Sequence, residues 1–400
     1  MNDIWNAPAL RRTLVISAAF AVLAMAGARA DQPPLKIGLI YSYSGAGPTS
    51  HTLDPGIALW MSQHGNTIAG RKVEIIRRDD NGIAPETAKR LAQELIVENN
   101  IDILAGIAFT PNAIAVAQVS TAAKKPFFLV NAATSNIMEK APYMSRWGFT
   151  TAQLVTPLAK WAVAHGITSA YSVVQDYGPG IDAGAAFTKT FAEAGGKIVG
   201  EARFPVETQD FTAYLQRAKD AKPQAVFVFV NATTGGASFL KAFRDVGLTR
   251  DGVKLLATGD LVSENNLPAD GDLAIGVIST FHYSATHNSP LNRQLIDAVS
   301  RATRGSLTAD FATIAGYDVM HAIYDVIAAQ HGNVDPEQTM VLVKKEKFES
   351  GRGPIAIDPA TRDIIENVYI RRTEKKNGKL VNTEFDTIPM QKDPNEHYNS

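Results

Sequence analysis

Apolar and polar positions follow two rhythms that keep replacing each other along the chain. Leu35–Tyr41 is a run rich in Ile and Leu, the pattern of a strand covered on both faces. Lys72–Arg78 sets Val73 and Ile75 against polar neighbours, the two-residue period of a second strand. Around them the period lengthens to that of a helix, over Pro55–His64 and then Pro85–Glu98, where Ala88, Leu91, Ala92, Leu95 and Ile96 share a face. Strand Ile101–Ile107, helix Pro111–Ala123 and strand Pro126–Val130 continue the alternation. It then restarts with helix Gln153–His165, strand Ser169–Gln175, helix Gly180–Ala194 and strand Lys197–Phe204. Helix Phe211–Asp220, strand Gln224–Val230, helix Gly235–Val246 and strands Val253–Thr258 and Ala274–His282 follow. Two long helices, Pro290–Thr303 and Ala309–Gln330, precede a tail with a helix from Pro336 and strands Asn367–Arg371 and Lys379–Phe385. The pattern predicts an α/β protein of two similar lobes, each a doubly wound parallel sheet with helices on both faces.

In open parallel sheets ligands sit outside the carboxyl ends of the strands. Six loops there are small, hydroxyl-rich or glycine-rich: 43–47, 108–111, 131–135, 176–180, 231–234 and 259–261. If the lobes face each other, all six line one cleft. Thr110-Pro111 reads as a helix start with Pro in the first turn, and a helix N-terminus offers free amides to an anion. The same residues also satisfy a plain capping role, and Asp260 satisfies that of a turn acid.

Composition adds exclusions. The 400 residues are 45% apolar and 20% charged, as in ordinary globular proteins, and the formal charge of −1 lacks the basic surplus of a nucleic-acid binder. With no cysteine, disulfides, thiolate metal sites and cysteine nucleophiles are absent. Arg11 and Arg12, the apolar run Leu14–Ala26 and Ala28-Arg29-Ala30 form an export signal, expected to be cleaved after Ala30, through either the general or the twin-arginine route. Gly178-Pro179-Gly180 with Gly184 imitates a dinucleotide fingerprint, but its last glycine is one residue late. Asp79-Asp80-Asn81-Gly82 lacks the alternating ligands of a calcium loop, and His282 and His287 are too isolated for zinc. No G-x-S-x-G elbow and no H-E-x-x-H pair occurs. No cofactor or metal is expected.

The order of several short markers is similar to that in the periplasmic substrate-binding proteins of ABC importers of the leucine/isoleucine/valine-binding type. These markers are Lys36-Ile37-Gly38-Leu39 with Ser44-Gly45, Gly70-Arg71-Lys72-Val73-Glu74 leading to Asp79-Asp80-Asn81-Gly82, and Asn131-Ala132-Ala133-Thr134-Ser135-Asn136. Asp176-Tyr177-Gly178-Pro179-Gly180, Gly316-Tyr317-Asp318 and Gly353-Pro354-Ile355 complete the set. The resemblance implies two lobes joined by three crossing strands, with a ligand clamped between them. It implies residues 31–150 with 283–335 in one lobe, 151–282 with 336–390 in the other, and 391–400 as a tail.

Carried over, the resemblance places Ala132, Ala133 and Thr134 on the ligand carboxylate, helped by Phe109 and Thr110 and flanked by Ser44 and Asn131. Tyr177 would close from the second lobe, and Asp260 would meet an ammonium. That acid is Asp rather than Glu, and Asn231 stands where the leucine-type protein has aromatic residues. The ligand implied is a branched-chain or other hydrophobic amino acid, with an aromatic or aliphatic acid as the alternative. A monomeric periplasmic receptor serving membrane permease and ATPase subunits is the function implied. An enzyme on the same scaffold and a sensory module remain rivals.

Overall fold

The computed structural model describes residues 32–233 and 236–394; the export segment expected over 1–30 and the tail from 395 lie outside the described residues. The first sheet contains β1 (Gln32–Tyr41), β2 (Thr67–Ile68), β3 (Arg71–Asp79), β4 (Ile103–Gly106), β5 (Phe127–Leu129) and β6 (Met144–Arg146). Its order is β2-β3-β1-β4-β5-β6, parallel except for β2. Leu35, Ile37, Leu39 and Ile40 are buried together because helices cover both faces, and two apolar clusters form on either side of the sheet.

The second sheet is built on β7 (Ser169–Gln175), β8 (Lys197–Phe204), β9 (Ala225–Phe229), β10 (Lys254–Thr258) and β11 (Ile278–Phe281), all parallel. β12 (Lys347–Ser350), β13 (Gly353–Ile357), β14 (Ile364–Lys376) and β15 (Lys379–Gln391) extend it by antiparallel pairing, β14 lying against β11. This extension has a local cause: no crossover helix follows β12, and Asn377 and Gly378, both at positive φ, turn β14 back into β15.

The chain passes between lobes at 147–150, at 282–289 after β11, and at 344–346 before β12. Helices Pro290–Ala302 and Phe311–Ala329 return to the first lobe against helix Leu53–His64. Helix Pro336–Val343, assigned to the second lobe by the sequence division, buries Met340 and Val343 in the core of the first. Its predecessor supplies that packing surface, which no local pattern reveals.

Buried polar contacts tie the crossings together. Arg352 donates to Trp147 O (2.7 Å), to Gly148 O (3.3 Å) and to Asp318 Oδ2 (2.9 Å), and its Nη1 lies 2.8 Å from Glu366 Oε2. Ser289 Oγ donates to Gly351 O at 2.9 Å, joining the second crossing to the turn between β12 and β13. Among the described residues no helix is long and apolar enough to cross a membrane.

Candidate functional site

Strand ends and two capped helix starts converge on one cavity of about 480 Å³, its mouth included. Six aromatic rings line it: Tyr41, Phe109, Phe149 and Phe311 from the first lobe and its crossing, Tyr177 and Phe229 from the second. Capping fixes two of these. Thr150 and Gln153 form a reciprocal cap that starts a helix two residues after Phe149, and Asp310 with Thr313 does the same just before Phe311. The two rings meet edge to face, centroids 6.3 Å apart.

One end of the cavity is rich in donors. Helix Thr110–Ala123 begins there, and its N-terminus has no side-chain cap. The loop after β5 runs beside it, turning through Ala132 at φ +68°. The N–H groups of Asn131 and Ala132 already donate to Ile107 O and Ala108 O, each at 3.2 Å. Among the described residues those of Ala133 and Thr134 have no acceptor, so the free amides start one residue later than the sequence implied. Arg146 steadies this loop from behind, donating to Thr134 O at 2.8 Å while pairing with Asp363 at 3.1 Å. Thr134 itself does not line the cavity; its hydroxyl donates to Thr110 Oγ1 at 3.0 Å, leaving the Thr110 proton free to point inward.

At the second lobe's end lies Asp260, which accepts from Thr258 Oγ1 at 2.8 Å. Burial pushes its carboxyl up to about 6, against the hydrogen bond from Thr258 and the field of Arg371 behind it. The Tyr177 hydroxyl, hydrogen-bonded with Asn231, is raised by burial and by the Asp260 charge. Asn231 shapes its own loop: its side-chain oxygen accepts from Thr233 N (3.0 Å) and Oγ1 (2.6 Å). Among the described residues that line the cavity, none is Lys, Arg or His.

The expected residues thus divide. Phe109, Thr110, Asn131, Ala132, Ala133, Tyr177, Asn231 and Asp260 line the cavity. Thr134 supports it from behind, and Ser44 is exposed, donating to Asn81 Oδ1 at 2.6 Å. Ala46 and Thr49 line the cavity from the Ser44 loop instead. Tyr41 and Phe229 end buried strands, a position the carboxyl-end rule could have flagged; Phe149 and Phe311 carry no such signal. Asp80 of the calcium-like run is buried, accepting from Ser42 and Asn112, and His287 pairs with Glu384. Among the described residues no group of acids and histidines is placed to hold a metal.

Residues 34–379 match the family model described as periplasmic binding protein. A Brucella suis protein named Leu/Ile/Val-binding protein homolog 6 is 40% identical over 378 residues, 94% of this chain and 97% of its own length. The solute-binding protein of an ABC transporter from Rhodopseudomonas palustris, solved in complex with 4-hydroxybenzoate, is 42% identical with a TM-score of 0.86, covering 91% of this chain and 99% of that one. A counterpart from Rhodopseudomonas palustris BisB5, in complex with 3,4-dihydroxybenzoic acid, is 40% identical with a TM-score of 0.85, covering 90% and 99%. With its two sheets, its cleft and these relatives, the chain belongs to the type I periplasmic binding proteins, the solute-binding and non-enzymatic components of ABC transporters.

Proposed function

We propose that this protein captures a small aromatic carboxylate in the periplasm, closes its lobes around it and delivers it to the permease and ATPase subunits of an importer. One observation carries the reading: six aromatic rings surround the space between an uncapped helix N-terminus and Asp260. A flat ring fills such a box, its carboxylate takes the Thr110 hydroxyl and the Ala133 and Thr134 amides, and a para substituent reaches Asp260. Neutral donors aimed at an anion in a dry site bind it strongly without a cation. The complexes of the two Rhodopseudomonas relatives support the ring.

A second reading, a hydrophobic amino acid, is favoured by the buried carboxylate of Asp260, which would meet an ammonium, and by the name of the Brucella relative. Thermal unfolding followed by calorimetry, with 4-hydroxybenzoate, benzoate, L-leucine and L-phenylalanine, separates the two. Hydroxybenzoate is expected to raise the melting temperature and bind with one-to-one stoichiometry, with L-leucine silent. Stabilisation by leucine alone would reverse the assignment.

A further inference from the structure

The sequence motif Gly178–Asp182 lies at the start of a second-lobe helix, Gly178–Glu193, and most of it stays outside the cavity. It rests instead on the first lobe. Ser135 N–H donates to Asp182 Oδ2 at 2.7 Å, and both residues are almost wholly buried. Thr151, at the head of the helix after the first crossing, bridges the same two segments: its N–H donates to Ala133 O and its Oγ1 to Pro179 O, both at 2.9 Å. Gly178 is packed so closely on Thr134 that a Cβ built on it would overlap the Thr134 hydroxyl.

We propose that Gly178–Asp182 is a closure surface that docks on Ala133–Ser135, with Asp182 and Gly178 as positioning residues for ligand capture. The loop after β5 presents three consecutive amides. Asp182 takes the one at Ser135; those at Ala133 and Thr134 remain for a ligand anion. One short loop is therefore ordered twice, by the second lobe and by the ligand. Ordering it by either partner spares the other that entropic cost, so lobe closure and ligand binding reinforce each other through this loop. Glycine at 178 is what lets the surfaces touch; a methyl there acts as a wedge. The docking stands on the contacts themselves, whereas its coupling to a ligand rests on the function proposed above.

Amide hydrogen exchange at Ser135 in the ligand-free protein tests the docking, and stopped-flow dissociation of 4-hydroxybenzoate tests the coupling. Asp182→Ala is expected to speed Ser135 exchange about tenfold or more, the loss typical of a hydrogen bond to a charged acceptor, with Asp182→Asn in between. Phe128, in the core strand β5, should keep its protection in all variants. Gly178→Ala should act like Asp182→Ala, and adding Thr134→Ala to it should restore slow exchange by removing the obstructing hydroxyl, a rescue that simple destabilisation does not give. 4-Hydroxybenzoate should leave Asp182→Ala about 10- to 100-fold faster, its association rate little changed. Unchanged Ser135 exchange in both Asp182→Ala and Gly178→Ala, or no rescue by the double variant, overturns the proposal. If the wild type ignores 4-hydroxybenzoate while Ser135 responds as stated, the docking holds and the ligand assignment falls instead.

Discussion

Asp260 shares its cavity with the proposed site of an anion, yet its carboxyl is held only to about 6, so near neutral pH it is mostly charged and can accept from a further donor. A ligand that brings one, as a phenolic hydroxyl or an ammonium, favours the charged form and lowers that pKa on binding. Affinity for 4-hydroxybenzoate should therefore rise between about pH 5.5 and 7.5 and level off above, because protons leave as the complex forms. Benzoate brings no donor and only dries the carboxylate further, so its affinity should fall over the same range. Calorimetry across pH reads both slopes, and Asp260→Asn should flatten them; equal slopes for the two ligands would show that the ring substituent does not reach Asp260. Asp260 and Tyr177 were legible in the sequence because each stands in a loop that follows a strand. Phe149 and Phe311 were not, since what aims them is the capping of helices that start beside a crossing. Thr134 was legible as a loop hydroxyl, but its direction, toward Thr110 rather than the cavity, depends on a partner 24 positions away.

Strands and helices of the two alternating blocks follow from periodicity alone, and β7 and β8 keep the bounds their patterns gave. The short elements escape it. Met144–Arg146 looks polar, yet Arg146 is fully buried because Asp363 neutralises it from a segment more than two hundred residues later. Lys347–Ser350 and Gly353–Ile357 likewise owe their pairing to the turn between them and to β14. At this scale the crossing around Arg352 makes a prediction. Arg352 faces two carboxylates, Asp318 and Glu366; burial, with Asp318 adding to it, lifts Glu366 to about 8 in spite of the guanidinium. The folded chain then keeps a proton that the unfolded chain, with its ordinary value of 4.5, has lost. Stability from this group is complete below the unfolded value and drains as pH rises through the folded one. Melting temperature should drop by a few °C between about pH 6.5 and 8.5, and Glu366→Gln should remove part of that drop, worth roughly 1–2 kcal/mol at the upper end. A Glu366→Gln variant that is less stable at every pH would mean that Glu366 serves Arg352 as a full anion.

For the whole molecule, the repeat of strand–helix alternation announces two lobes, but nothing local announces how they meet. Ser135 and Asp182 are 47 positions apart, and their contact exists only once both sheets are formed. The same holds for the electrostatic character of the cleft, which emerges from what six loops jointly leave out: a side-chain cation. This omission governs behaviour in brine as well as in dilute buffer. Between about 0.02 and about 0.5 M sodium chloride the screening length shrinks from roughly 20 Å to roughly 4 Å, and capture by surface lysines or arginines would weaken accordingly. Backbone dipoles touching an enclosed anion leave no room for intervening ions, so the dissociation constant should move by less than about twofold over that range. A tenfold loss would mean that charges outside the cavity draw the ligand in. An affinity so held would be uncoupled from the salinity of the surroundings, and occupancy of the cleft would follow ligand concentration alone.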